Sequence, residues 1–164
     1  QPPFNENMTT GINLTNPYGF TKKTIEDILE DHTKYNKDFN VVCLRYFNPT
    51  GSHYTGTIGE PIDDSIQNLM PNIIRTFLGK QECLYVYGND YKTLDGSCIR
   101  DYIHVQDLCS AHQLAMVAML SGALTGAECF NLGNGAGFTV QQVINVSKDI
   151  VGKDGYTINV QQGR

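Results

Sequence analysis

Tyr18 and Lys22 stand four residues apart in the segment NPYGFTKKTIE, residues 16–26. On a helix this spacing stacks a phenol and an ammonium on one face, with Cβ atoms about 5–6 Å apart. A free phenol holds its proton too tightly to be a good base near neutral pH. A cation about 6 Å away, at an effective dielectric of about 20, favours phenolate by roughly 3 kcal/mol. The pair is therefore suited to exchanging a proton with a substrate hydroxyl, Tyr18 as acid/base and Lys22 as the supporting cation. Nine tyrosines in the chain make an accidental pair of this spacing unsurprising. Taken alone, the pair is better explained by an amphipathic helix whose Lys extends to solvent. The pair gains weight only from its context.

The surrounding residues read as a helix that can hold the pair. Asn16 is a suitable cap and Pro17 suits the first helical position. Tyr18, Lys22, Ile25, Leu29 and His32 then form one stripe. Val41 to Phe47, apolar apart from Arg45, reads as a buried parallel strand. Asn48-Pro49-Thr50-Gly51 ends it, and residues 51–63 form a Gly-rich polar loop. A second helix runs from Met70 to Leu78, with Gly79 as its stop. Cys83 to Tyr87 is a short strand and residues 88–98 are loop. Val105 to Leu120 is an apolar helix and Glu128 to Leu132 a strand; both carry few polar residues and read as interior pieces. Thr139 caps a helix from Val140 to Val151, and Tyr156 to Val160 is a last strand. This alternation predicts an α/β fold with helices covering a mainly parallel sheet.

Composition narrows the chemistry. The 164 residues are 40% hydrophobic and 18% charged, which is globular rather than disordered composition. No apolar run approaches the roughly 18 residues of a membrane helix. The net charge is −5 and the cations are scattered, so a nucleic-acid groove is not expected. The five cysteines (Cys43, Cys83, Cys98, Cys109, Cys129) include no C-x-x-C and read as reduced core residues of a cytosolic protein. Four histidines give no metal-ligand spacing; His104 and His112 can share a helix side but read as structural. The N-x-[ST] matches at Asn7, Asn13 and Asn145 read as chance. Gly133, Gly135 and Gly137 mimic a nucleotide loop, yet position 138 is Phe, so they read as a tight strand-to-helix turn.

Six motifs occur in order: NPYGFTKKTIE, LRYFNPTG (44–51), NLMP (68–71), YGNDY (87–91) followed by Asp95-Gly96, IRDYIHVQDL (99–108) and FNLGNG (130–135). Together they resemble the extended short-chain dehydrogenase/reductase family of NAD-dependent nucleotide-sugar epimerases and dehydratases. Within it they most resemble the branch that interconverts UDP-glucose and UDP-galactose. The similarity covers almost the whole chain and the later half of the family's enzymes. The chain is thus expected to be an internal fragment that does not turn over alone, the family's glycine fingerprint and upstream Ser/Thr lying outside it.

The resemblance implies a partial Rossmann-like, NAD-binding sheet (residues 1–47 and 101–133) with a smaller α/β lobe for the UDP-sugar (48–100 and 134–164). It implies that Tyr18 is the catalytic base and that Lys22 holds the ribose of NAD. Tyr46 matches a position whose backbone lines the nicotinamide, and Asn48 one that contacts the sugar. Asn68 and Leu69 match a pair beside diphosphate and uridine, Tyr85 and Tyr87 positions flanking the uracil. Arg100 and Arg164 match two diphosphate ligands. Each has a plainer reading. Tyr46 and Leu69 suit a core, Asn48 a turn and Asn68 a helix cap. Tyr85 and Tyr87 suit packing, Arg100 a surface pair with Asp101 or Asp95, and Arg164 a mobile chain end. The resemblance further implies a cytoplasmic homodimer without a metal. Another nucleotide-sugar dehydratase, decarboxylase or uronate epimerase would keep Tyr18 and Lys22 but differ within residues 46–69. A non-catalytic nucleotide-sugar-binding or protein-binding module is the alternative of another class.

Overall fold

Asn16 and Pro17 begin the first helix as expected: the Asn16 side chain accepts the Gly19 N–H at 2.9 Å, with Pro17 behind it. The computed structural model describes residues 3–61, 65–152 and the backbone of 157–161. The first elements are α1 (Pro17–Tyr35), β1 (Val41–Tyr46), β2 (Asn48–Thr50), α2 (Leu69–Phe77) and β3 (Cys83–Tyr87). They are followed by β4 (Ile99–His104), α3 (Val105–Leu120), β5 (Ala127–Leu132), β6 (Gly137–Thr139), α4 (Val140–Val151) and β7 (Thr157–Gln161). Among the described residues, no helix is long and apolar enough to cross a membrane. The chain divides into two compact units, Gln1–Phe47 with Asp107–Leu132 and Asn48–Gln106 with Gly133–Arg164.

In the first unit β1 and β5 pair in parallel, Val41 opposite Ala127 through Tyr46 opposite Leu132. The parallel pairing of β1 agrees with its sequence, but full burial is not found. Val41 to Arg45 are only half-buried, and Tyr46 is exposed. The expectation that α3 lies in the interior is also corrected. Only Leu108 of this helix is buried, while Leu114, Met116, Val117 and Leu120 are exposed. A sheet of two strands offers little surface to cover an apolar helix. The same correction reaches the cysteines. Cys83 is buried, Cys43, Cys98 and Cys129 are half-buried and Cys109 is exposed, all as free thiols. Burial, then Cys129 directly opposite, pushes the Cys43 thiol up to about 11, so it stays protonated.

The second unit contains three strands ordered β2-β4-β6 and a separate parallel pair, β3 with β7. The three strands of the first group are not anticipated by the sequence pattern. Asn48–Thr50 is not a simple turn but a strand parallel to β4, with Asn48 opposite Tyr102. Ile99–His104 pairs on both sides, antiparallel to β6 through Arg100 opposite Phe138 and Asp101 opposite Gly137. Residues 101–106 therefore pack with the second unit and not, as expected, with the first. His104 ends β4, so it does not share a helix with His112. Glycines permit the close approaches. A Cβ on Gly137 would lie 2.4 Å from Ile99 Cγ2, and one on Gly51 would lie 2.4 Å from His104 Nε2.

The core of this unit is Ile73, Phe77, Leu84, Val86 and Ile144, drawn from α2, β3 and α4. The ends of α4 follow their residues. Thr139 and Gln142 form a reciprocal capping box, and Gly152 closes the helix at φ 66°. Asp95 ties the 88–98 loop to this cap. One carboxylate oxygen accepts from Ser97 N at 2.9 Å and Ser97 Oγ at 2.7 Å; the other accepts from Thr139 Oγ1. These donors, Thr139 first, hold the Asp95 carboxyl below the ordinary carboxylate range. The bonds therefore stabilise the fold fully above the unfolded-state pKa and are lost as pH falls through the lower folded value. The unfolding midpoint of Asp95→Asn, followed from neutral pH down to pH ~2, is expected to fall less steeply than that of the unsubstituted chain.

Candidate active site

Helix α1 brings Tyr18 and Lys22 together as their spacing requires. The Lys22 ammonium lies over the Tyr18 ring, 5.2 Å from its centroid. Tyr18 is 71% exposed, so its hydroxyl is open to a ligand. Lys23, the next residue, is paired with Asp27; among the described residues Lys22 has no carboxylate partner. The ammonium thus remains available to a further oxygen acceptor.

The same stripe continues four residues on, at Glu26. Its two carboxylate oxygens accept from Arg45 Nε and Nη2, each at 2.7 Å, in a fork-to-fork pair. Arg45 is the only charge in β1. The pair therefore fixes the rotation of α1 against the sheet, and with it the direction in which Tyr18 and Lys22 point. Glu26, above all, raises the pKa of Arg45. The side chains are 25% and 20% exposed, so the pair lies between a surface and a buried one. Replacing Glu26 by Ala strands Arg45 and is expected to cost about 2 kcal/mol in urea unfolding, below the full penalty of a buried pair.

Tyr46, at the carboxyl end of β1, is half exposed. Its hydroxyl meets His112 Nε2 at 2.6 Å, and His112 Nδ1 meets the Leu108 carbonyl at 2.7 Å. A carbonyl only accepts, so Nδ1 carries a proton and, in the neutral ring, Nε2 accepts from Tyr46. His112 is structural, as expected, and it holds the Tyr46 ring to α3.

The other candidates lie in the second unit. Asn48 Nδ2 donates to the Asp101 carbonyl at 2.8 Å. Arg100 is exposed on β4 and donates to the Ile99 carbonyl at 3.0 Å. The surface-pair reading of Arg100 fails. The Asp101 carboxylate accepts from Asn134 N and Gly135 N, and Asp95 is occupied by Thr139 and Ser97. Among the described residues Arg100 has no carboxylate partner, which leaves its fork for an anion. Asn68 is the N-cap residue of α2, as its plainer reading has it, but its side chain makes no capping bond, and its Nδ2 instead donates to Glu60 Oε1 at 3.4 Å. Leu69 packs against the core, which is the plainer reading of that residue. Tyr85 and Tyr87 occupy the outer face of β3, 45% and 46% exposed, while Cys83, Leu84 and Val86 are buried. They do not serve this core, and two exposed rings on one strand face suit stacking on a flat ligand. Arg164 lies outside the described residues.

Sequence reasoning missed Glu26, Asp101 and the Tyr46–His112 bond. A signal existed for Glu26: Arg45 is a lone charge within an apolar run and needs a counter-charge.

A family model described as the NAD dependent epimerase/dehydratase family matches residues 1–133. A UDP-glucose 4-epimerase of Caenorhabditis elegans is 43% identical over 152 residues, which are 93% of this chain and 44% of that protein. Two crystal structures share the fold. The UDP-glucose-4-epimerase of Stenotrophomonas maltophila, with bound NAD and formylated UDP-arabinopyranose, aligns at a TM-score of 0.91 and 35% identity, covering 100% of this chain and 47% of its own. The UDP-glucose 4-epimerase of Bifidobacterium longum, in complex with NAD+ and UDP, aligns at 0.88 and 36%, covering 100% and 48%. The chain spans about half the length of these relatives.

Proposed function

We propose, for a chain that belongs to the NAD dependent epimerase/dehydratase family, that it carries the acid/base and much of the UDP-sugar site of a UDP-glucose 4-epimerase. The observation that carries this reading is the Lys22 ammonium 5.2 Å from the Tyr18 ring centroid, on a helix stripe locked by Glu26 and Arg45. The likeness to epimerases from three organisms supports the same activity.

The residues present fit NAD. Lys22 is a cation without a carboxylate partner among the described residues, suited to hold ribose hydroxyls. Tyr46 stands at the carboxyl end of a parallel strand, where ligands sit in open α/β sheets. Bound NAD would supply a reversible two-electron acceptor for the hydrogen on C4 of the sugar. Tyr18, as phenolate, accepts the proton of the 4-hydroxyl as the C4 hydrogen departs with its electron pair. Lys22 supports the phenolate charge. After the 4-keto sugar turns over, Tyr18 returns the proton to O4 as hydride is delivered to the other face of C4. Bonds and electrons balance, and no net oxidation occurs.

Arg100 suits the diphosphate, with Arg164 as its expected second cation. Asn48 suits the hexose, Asn68 and Leu69 the diphosphate–uridine junction, and Tyr85 and Tyr87 the uracil. The partial Rossmann-like domain and the UDP-sugar lobe correspond in this reading to the first and second units. The family resemblance supports a cytoplasmic homodimer. In a coupled assay, the intact protein supplied with UDP-galactose and NAD is expected to form UDP-glucose. No conversion, or accumulation of a 4-keto-6-deoxy sugar, would refute the proposal.

A further inference from the structure

Asp101 joins three separate stretches of the second unit and lies next to one proposed ligand residue while bonded to another. Its carboxylate accepts the N–H groups of Asn134 at 2.7 Å and Gly135 at 3.0 Å, which ties β4 to the turn after β5. Its main-chain carbonyl accepts from Asn48 Nδ2 at 2.8 Å. Arg100 immediately precedes it. The Asn48 contact also decides which way that amide is turned. A carbonyl oxygen accepts and never donates, so nitrogen must face Asp101. Among the described residues, Asn48 Oδ1 has no protein partner. The site therefore presents an acceptor at this point, suited to a hydroxyl and unsuited to a phosphate oxygen.

We propose that Asp101 is a positioning residue: by holding β4 to the 134–135 turn, it keeps its own carbonyl against Asn48 and so aims Oδ1 at a hydroxyl of the hexose. This rests on the reading of Asn48 and Arg100 as UDP-sugar ligands. It adds a division of labour. Arg100 serves the diphosphate, common to UDP and UDP-hexose. The Asp101–Asn48 pair serves only the sugar.

The test compares calorimetric binding of UDP and of UDP-glucose to the intact protein. Asp101→Asn and Asn48→Ala are each expected to weaken UDP-glucose about tenfold, the weight of one well-placed hydrogen bond, and to leave UDP within about twofold. The double variant is expected to be no weaker than either single one. Arg100→Ala is expected to weaken both ligands. Asn134→Pro removes one N–H that the carboxylate accepts and keeps the Asp101 charge; it is expected to act in the same direction if Asp101→Asn fails to fold. Equal weakening of UDP and UDP-glucose by Asp101→Asn would show a merely structural role and overturn the inference. So would unchanged UDP-glucose binding in Asp101→Asn beside a weakened Asn48→Ala. Unchanged binding of both ligands in Arg100→Ala and Asn48→Ala would instead remove the underlying reading, and the inference with it.

Discussion

Replacing Tyr18 by Phe is expected to lower kcat of the intact enzyme by about 10²–10⁴-fold, the usual contribution of a positioned general acid/base. Phe keeps the ring that the Lys22 ammonium faces at 5.2 Å and removes only the hydroxyl. Tyr18 is 71% exposed, so the change leaves no cavity and no unpaired buried group. UDP affinity, which the proposed function assigns to residues of the second unit, is expected to stay within about twofold. Steady-state kinetics with UDP-galactose, together with calorimetric binding of UDP, separate these effects. A kcat within about threefold of the unsubstituted enzyme would remove Tyr18 from the chemistry.

The largest effect on stability is expected at Ile144, which is 0% exposed at the centre of the α2, β3 and α4 core. Ile144→Ala removes three buried carbons from a cluster of Ile73, Phe77, Leu84 and Val86, none of which is on a flexible tip. Such truncations cost about 2–5 kcal/mol, because lost transfer energy is joined by the cavity left behind. That is a large part of the roughly 5–15 kcal/mol that holds an ordinary domain together. Urea unfolding at neutral pH reads the loss directly. Leu114→Ala, on the 69% exposed side chain of α3, is the comparison and is expected to change stability by less than about 0.5 kcal/mol.

Elements whose ends are set by local chemistry were legible in the sequence. Asn16-Pro17 announced α1, Gly79 marked the end of α2 with φ 70°, and Thr139 announced α4. The short strands were hidden because their pairing is long-range. Asn48-Pro49-Thr50 carries turn formers, yet β2 is an edge strand, where a Pro without an N–H is tolerated. Ile99–His104 places Arg and Asp side by side, which obscures any alternation; it is a strand because β2 and β6 flank it. Apolar content misled for α3, since hydrophobicity alone does not say what covers a helix. At the site, the Tyr18–Lys22 spacing was legible because a helix guarantees it. The Arg45–Glu26 lock and the Asp101 junction, whose partners are 19 and 33 residues apart for Glu26–Arg45 and Asp101–Asn134, needed the tertiary structure.

In the proposed mechanism a hydrogen leaves C4 of the sugar and returns to the same carbon, while Tyr18 handles only the hydroxyl proton. Epimerisation of UDP-galactose in D2O by the intact enzyme, with NMR of the product, tests this directly. The predicted product is UDP-glucose with no deuterium on C4, because only the O4 proton ever meets solvent. Deuterium on C4 would mean that a base removes that hydrogen as a proton, and would contradict the roles of Tyr18 as hydroxyl acid/base and Lys22 as its supporting cation.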